Sequence, residues 1–313
     1  MAKILLTRPM PDAVLAAAQA LGDVEMRETN APMSERELRA AMWMYDAIIP
    51  TLGDQCSAAM MEGRGKLLAN FGVGYNHIDV AAARDAGIAV TNTPGAVTEA
   101  TADIALLLML MTCRRAGEGE RLVRAGAWEG WHPTQMLGLH MSGKTVGIVG
   151  MGRIGQAVAQ RCHGGFGMDV VFYNRSPKEI DTPARQVETL RECLSAADIV
   201  VLAVPGGAET RHLIDADALA AMAPHAHLVN IARGDVVDEA ALVAALQAGT
   251  IAGAGLDVYE HEPKVSAALT ALESVVLLPH LGTAALEVRL SMGLMAVENV
   301  RAFLAGEPLP NPV

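Results

Sequence analysis

The sequence has few cysteines, and none of them are paired. Its four, Cys56, Cys113, Cys162 and Cys193, stand dozens of residues apart, with no C-x-x-C and no metal-ligand spacing. That pattern excludes a disulfide scaffold and a thiolate metal centre, and it is the usage expected of a reduced, cytoplasmic protein. Basic runs are missing as well. With 24 Lys and Arg against 35 Asp and Glu, and no stretch of five consecutive cations, the surface should repel polyanions. Nucleic acid and anionic membranes are therefore not expected partners. The longest apolar run, Ile104 to Met111, is eight residues, where a membrane span needs about 20. The opening MAKILLT meets Arg8 and Pro9 at once, so it reads as a first buried strand and not as a signal peptide. Low-complexity segments and short-period repeats are also lacking.

What is present is the composition of a folded chain, 51% apolar and 19% charged over 313 residues. At roughly 150 residues per domain this predicts two domains, each large enough for its own core. Short apolar runs alternate with Ala-rich helical patterns, the signature of strand–helix units around parallel sheets. The first series offers strands at Lys3 to Thr7, Ala47 to Pro50, Leu67 to Asn70 and Ile88 to Thr91, with helices at Pro11 to Leu21, Ser34 to Met42 and Val80 to Ala86. After the turn Thr93-Pro94-Gly95 a long helix is expected from about Thr98 to Cys113, with Glu99 in the first turn, where negative charge is favoured. A second series opens at Gly143. Its six expected strands are Thr145 to Val149, Val170 to Tyr173, Ile199 to Val204, His227 to Ile231, Ile251 to Asp257 and Val275 to Leu278, enough for a doubly wound sheet. The remaining helix, about Ala284 to Phe303, has no strand of its own to cover and is expected to return to the first domain.

Gly150-Met151-Gly152-Arg153-Ile154-Gly155 lies between the strand Thr145 to Val149 and a helix. In that setting the first glycine makes the tight turn, the second admits a pyrophosphate against the backbone, and the third lets helix and strand pack closely. A carboxylate that binds the ribose of NAD normally stands roughly 20 residues on, at the end of the next strand. Asp169 precedes its strand and so stands at the wrong end, while the strand is followed by Asn174-Arg175-Ser176. A guanidinium and a hydroxyl there favour the 2′-phosphate of NADP. The alternative is a solvated arginine in a turn.

Ligands of doubly wound sheets sit at the carboxyl ends of the strands. Arg233, Glu262 and His280 all follow late strands. Reduction of a 2-keto acid needs a cation for the carboxylate, an acid for the new alkoxide and a hydride donor. Arg binds carboxylates bidentately, His titrates near neutrality, and Glu can keep that His oriented and protonated. Taken singly, each residue could equally be hydrogen-bonded or solvated without a catalytic role.

Six stretches carry a family likeness: Asn70 to Val80 (NFGVGYNHIDV), Thr93 to Asp103 (TPGAVTEATAD), Gly143 to Gly155 (GKTVGIVGMGRIG), Asn230 to Gly234 (NIARG), Gly255 to Pro263 (GLDVYEHEP) and Pro279 to Thr283 (PHLGT). They span almost the whole chain, which resembles the D-isomer-specific 2-hydroxyacid dehydrogenases and, within them, the glyoxylate/hydroxypyruvate reductases. The resemblance implies an α/β protein of two Rossmann-like domains with parallel sheets. One is a discontinuous flavodoxin-like substrate domain, 1–98 plus 285–313, and the other a doubly wound dinucleotide-binding domain, 99–284. It implies that Arg233 binds and polarises the substrate, that His280 donates the proton and that Glu262 pairs with His280. Val73 and Gly74 would offer backbone amides to the substrate carboxylate. Cofactor contacts would fall at Gly150, Gly152, Arg153, Ile154, Gly155, Asn174, Arg175, Ser176, Val204, Pro205, Thr210, Ile231, Ala232, Arg233, Asp257, His280 and Gly282, with Asp257 near the nicotinamide.

Two regions depart from the pattern. After Val204-Pro205 this chain has Gly206-Gly207-Ala208 where relatives commonly carry larger residues, and Leu52-Gly53 leave the size of the substrate open. Trp128 and Trp131 stand in a connecting segment and suggest an anchor, either within one subunit or at a dimer contact. The resulting expectation is an NADPH-dependent reductase of small 2-keto acids, a homodimer without a metal. Two other readings share the fold: a dehydrogenase of another small acid such as formate or phosphite, and a redox sensor that binds NADP without turnover.

Overall fold

A computed structural model describes residues 1–63 and 66–313. The chain divides into two compact units, Met1–Val97 with Thr283–Val313, and Thr98–Gly282.

In the first unit the strands are β1 (Lys3–Leu6), β2 (Asp23–Met26), β3 (Ala47–Ile49), β4 (Lys66–Ala69) and β5 (Ile88–Thr91). They form one parallel sheet in the order β2-β1-β3-β4-β5. Residues alternate between its two faces, as the pleat requires. Ile4, Leu6, Ala47, Ile49, Leu67 and Ala69 join one apolar cluster, while Leu5, Ile48 and Leu68 join the other. Helices α1 (Asp12–Gln19), α2 (Glu35–Met44) and α3 (Val80–Asp85) connect the strands. A reciprocal cap fixes the start of α2: the Ser34 hydroxyl accepts from the Glu37 amide, and the Glu37 carboxylate accepts from the Ser34 amide. The C-terminal helix Leu286–Ala305 buries Ala296, Val297 and Val300 in the same cluster as Ile4, Leu6 and Val14, which is why this unit is discontinuous in sequence.

The second unit opens with α4 (Thr98–Cys113) and α5 (Ala116–Arg124). Its strands are β6 (Thr145–Val149), β7 (Asp169–Tyr173), β8 (Arg185–Gln186), β9 (Ile199–Leu202), β10 (His227–Asn230), β11 (Gly253–Leu256) and β12 (Val275–Leu277). Between them run α6 (Arg153–Phe166), α7 (Leu190–Ala196), α8 (Ala216–Ala220), α9 (Glu239–Gln247) and α10 (Ala267–Thr270). The sheet is parallel throughout, ordered β12-β11-β10-β9-β6-β7-β8, and covered on both faces. The order reverses at β6, so the crevice for a ligand opens at the carboxyl end of that strand.

Two strands were not anticipated from the sequence. Asp23–Met26 is an edge strand whose burial alternates exposed and half-buried, so it carries no apolar run. Arg185–Gln186 is a two-residue edge strand beside β7, which raises the second sheet from six expected strands to seven. Among the described residues no helix is long and apolar enough to cross a membrane and no cluster could hold a metal ion.

Candidate active site

The glycine turn occupies the switch point. Gly150 follows β6 with φ of 99°, and a Cβ there would meet the Ala203 carbonyl at 2.7 Å. Gly155 lies so close to that turn that a Cβ would come within 2.2 Å of the Gly150 oxygen. Gly152 is the N-cap of α6, no side chain caps the helix there, and a Cβ at that position would meet nothing within 4 Å. Unsatisfied amides at a helix N-terminus with an open backbone approach are the donor set that a pyrophosphate takes. Arg153 and Ile154 form the first turn behind it.

Asn174 follows β7 and ties it to the glycine turn. Its Oδ1 accepts from the Met151 amide at 3.2 Å, and its Nδ2 donates to the Ser176 carbonyl at 2.9 Å. It therefore shapes the turn, while Arg175 and Ser176 are exposed beside it. Asp169 begins β7 at the amino end of the sheet, away from the crevice. The triplet after β7 holds no carboxylate, but tertiary structure brings one to it from elsewhere: Arg175 is ion-paired with Glu209 from the loop after β9. In that loop Thr210 donates to the Pro205 carbonyl at 2.7 Å, closing the turn that starts at Val204.

Beyond β10 the chain turns through Ile231 and Ala232 to Arg233. Asn230, 1% exposed, is the residue that sequence reasoning missed here. Its Oδ1 accepts from the Ala232 amide at 3.0 Å and its Nδ2 donates to the Arg233 carbonyl at 2.9 Å, fixing the turn from inside. The sequence signal was its place at the head of the NIARG stretch, at the end of an apolar strand, with no role assigned to it. Burial lowers the pKa of the Arg233 guanidinium from its ordinary value, opposed by the charges of Glu262 and Asp235.

Two carboxylates organise the last strand ends. Asp257, 2% exposed after β11, accepts from the amides of Leu281 at 2.6 Å and Gly282 at 2.8 Å, and its carbonyl accepts from the His280 amide at 2.9 Å. These bonds hold His280 in the left-handed region, φ 54°. Burial pushes the Asp257 carboxyl above its ordinary value, with the Leu281 and Gly282 amides drawing it partly back. Glu262 Oε2 lies 3.0 Å from His280 Nδ1, and its Oε1 accepts from the Tyr259 amide at 3.1 Å. Burial pushes Glu262 up, but His280, the Tyr259 amide and the Arg233 charge outweigh it and hold the carboxyl below its usual range. Because a carboxylate can only accept, Nδ1 carries the proton in this pair and Nε2 is the nitrogen left to face a ligand. Tyr259, another residue not singled out in the sequence, donates its hydroxyl to the Leu278 carbonyl at 2.8 Å, two residues before His280.

Arg233, Asp257, Glu262 and His280 thus gather at the carboxyl ends of β10, β11 and β12, in the same sheet and at the same edge as the glycine turn. In the first unit, Val73 and Gly74 lie in a loop whose carbonyls are held by asparagines: Asn92 donates to Val73 at 2.8 Å and Asn70 to Gly74 at 3.0 Å. Trp128 and Trp131 are exposed, at 53% and 80%.

The match to known proteins is extensive. Residues 106–282 fit the family model of the D-isomer specific 2-hydroxyacid dehydrogenase NAD binding domain. Glyoxylate reductase of Pyrococcus furiosus is 41% identical, with 99% of this chain and 95% of that protein covered. For glyoxylate reductase of Korarchaeum cryptofilum the figures are 43%, 99% and 95%. Among solved structures, the NADPH-dependent glyoxylate/hydroxypyruvate reductase of Sinorhizobium meliloti, in complex with NADP and malonate, superposes with a TM-score of 0.89 at 37% identity, over 100% of this chain and 96% of that one. On the strength of both the full-length identity and the matched domain, this chain belongs to the D-isomer-specific 2-hydroxyacid dehydrogenases.

Proposed function

We propose that the protein reduces small 2-keto acids, glyoxylate and hydroxypyruvate foremost, to 2-hydroxy acids with NADPH. The observation that carries this reading is the His280–Glu262 pair: Nδ1 is engaged by the carboxylate, which leaves Nε2 as the nitrogen available to give a proton to a ligand. A similarly built relative from S. meliloti is described as NADPH-dependent toward these two acids.

With its pyrophosphate held at the glycine turn, NADPH would supply the hydride that the carbonyl carbon of the substrate takes. The Arg233 guanidinium takes the substrate carboxylate and polarises the carbonyl by a planar, two-pronged contact. His280 Nε2 gives its proton to the developing alkoxide, and Glu262 stabilises the imidazolium before that transfer. Asp257 keeps His280 at the right angle through the two amides it accepts. The products are the 2-hydroxy acid and NADP+, and the imidazole regains its proton from water. Arg175 and Ser176 are assigned to the 2′-phosphate. The exposed faces of Trp128 and Trp131 are assigned to a second copy of the chain, making a homodimer.

Rates of NADPH and NADH oxidation with glyoxylate, hydroxypyruvate, pyruvate and longer keto acids test the reading. Turnover of the two-carbon and three-carbon acids with higher kcat/KM for NADPH is expected. NADPH binding without turnover of any acid would make the protein a sensor, and a preference for NADH would overturn the cofactor assignment.

A further inference from the structure

The strand order β9-β6-β7 places the glycine turn of β6 between the ends of β7 and β9. Arg175 stands two residues past β7 and Glu209 seven residues past β9. Their ion pair therefore spans the carboxyl end of the strand that carries the dinucleotide turn. Arg175 has no other ion-pair partner among the described residues within 4.0 Å. The loop bearing Glu209 is braced on both sides of it. Thr210 donates to the Pro205 and Gly207 carbonyls, and His212 Nε2 lies 2.7 Å from Glu260 Oε1. Glu209 is thus held where it can reach Arg175, and the backbone beside it, with Gly207 at φ 144°, has a residue able to absorb a change of loop path.

We propose that Glu209 is a cofactor-selectivity residue, its carboxylate occupying Arg175 in the free protein until the 2′-phosphate of NADPH displaces it. The proposal rests on the reading above that Arg175 meets that phosphate. A carboxylate and a phosphate monoester can each present two oxygens to the planar guanidinium fork, so the same donors serve each in turn. The phosphate carries up to two negative charges and wins the exchange. The ribose hydroxyl of NADH cannot make it, so NADH binds with the Arg175–Glu209 pair intact. Glu209 consequently taxes NADPH alone, and it narrows the preference that Arg175 would otherwise create. Both side chains are about 70% exposed or more, so the tax is small: an exposed ion pair shifts an equilibrium by roughly 1.5- to 5-fold.

Dissociation constants of NADPH and NADH, measured by cofactor fluorescence on the full chain, test this in four proteins: wild type, Glu209→Gln, Arg175→Ala and the double variant. Glu209→Gln is expected to tighten NADPH about 1.5- to 5-fold and leave NADH unchanged. In the Arg175→Ala background the same substitution is expected to tighten NADPH less than about 1.5-fold, because there is no guanidinium left to compete for. The gain should shrink as salt is raised toward 1 M, where the screening length falls to about 3 Å. Equal tightening of both cofactors, equal tightening in both backgrounds, or no tightening at all overturns the role of Glu209. Weakening of NADPH alone by Arg175→Ala keeps the cofactor reading standing in each of those cases. An Arg175→Ala variant that binds NADPH as wild type overturns that reading and the role of Glu209 with it.

Discussion

Asp257 builds the turn that presents His280. Its carbonyl accepts the His280 amide, and its two carboxylate oxygens accept the next two amides, of Leu281 and Gly282. An asparagine offers one acceptor oxygen where two buried amides need one each, and a buried donor left unmade costs about 1–3 kcal/mol. Asp257→Asn is expected to lower the thermal midpoint by a few degrees and to reduce kcat as His280 loosens. Differential scanning calorimetry and steady-state kinetics check both, and a variant with wild-type kcat would free His280 from dependence on this residue.

His280 itself is expected to be the proton donor. Replacing it by Ala should cut kcat by about 10²- to 10⁴-fold while NADPH binding is nearly retained. A variant keeping more than a third of wild-type kcat would place proton donation elsewhere.

Glu262 and Asp257 depart from their ordinary values in opposite directions, Glu262 below and Asp257 above. For a carboxyl lowered in the folded state, the stabilisation is present above the unfolded value of 4.5 and is lost as pH falls through the lowered one. The His280–Glu262 pair should therefore persist through pH 5–7 and weaken only on further acidification. Glu262→Gln should remove that acid-side dependence of stability and lower kcat, since no carboxylate then fixes His280 through Nδ1. Coincident pH–stability profiles for the two proteins would contradict the pairing.

Arg233 is expected to act through its planar fork as well as its charge. Arg233→Lys keeps only the charge, so kcat/KM for glyoxylate should fall strongly. Equal kcat/KM would show that charge alone is recognised.

The four thiols provide a check on the fold. All are buried, and burial pushes each up to about 12. Thiolate is the reactive form, so the native protein should resist a thiol reagent at neutral pH and release all four on unfolding. Prompt labelling in buffer would mean that one of the cores opens locally.

What the sequence determined alone is whatever rests on local pattern. The buried strands β1, β3 to β7 and β9 to β12 announce themselves because a strand covered on both faces must be a continuous apolar run. The glycine turn does so because close backbone approach to a helix N-terminus leaves no room for a side chain. The resemblance carried Arg233, Glu262 and His280 onto their positions. What only the tertiary structure decided rests on contacts between segments far apart in the chain. Edge strands Asp23–Met26 and Arg185–Gln186 are half-solvated, so no apolar run marks them. Asn230 and Tyr259 act by satisfying backbone groups that the fold brings within reach, which no spacing encodes. Glu209 meets Arg175 across 34 residues of sequence, because β9 and β7 flank the same strand. Charge at the cofactor end is thus set by topology, whereas the local triplet Asn174-Arg175-Ser176 gave only half of it.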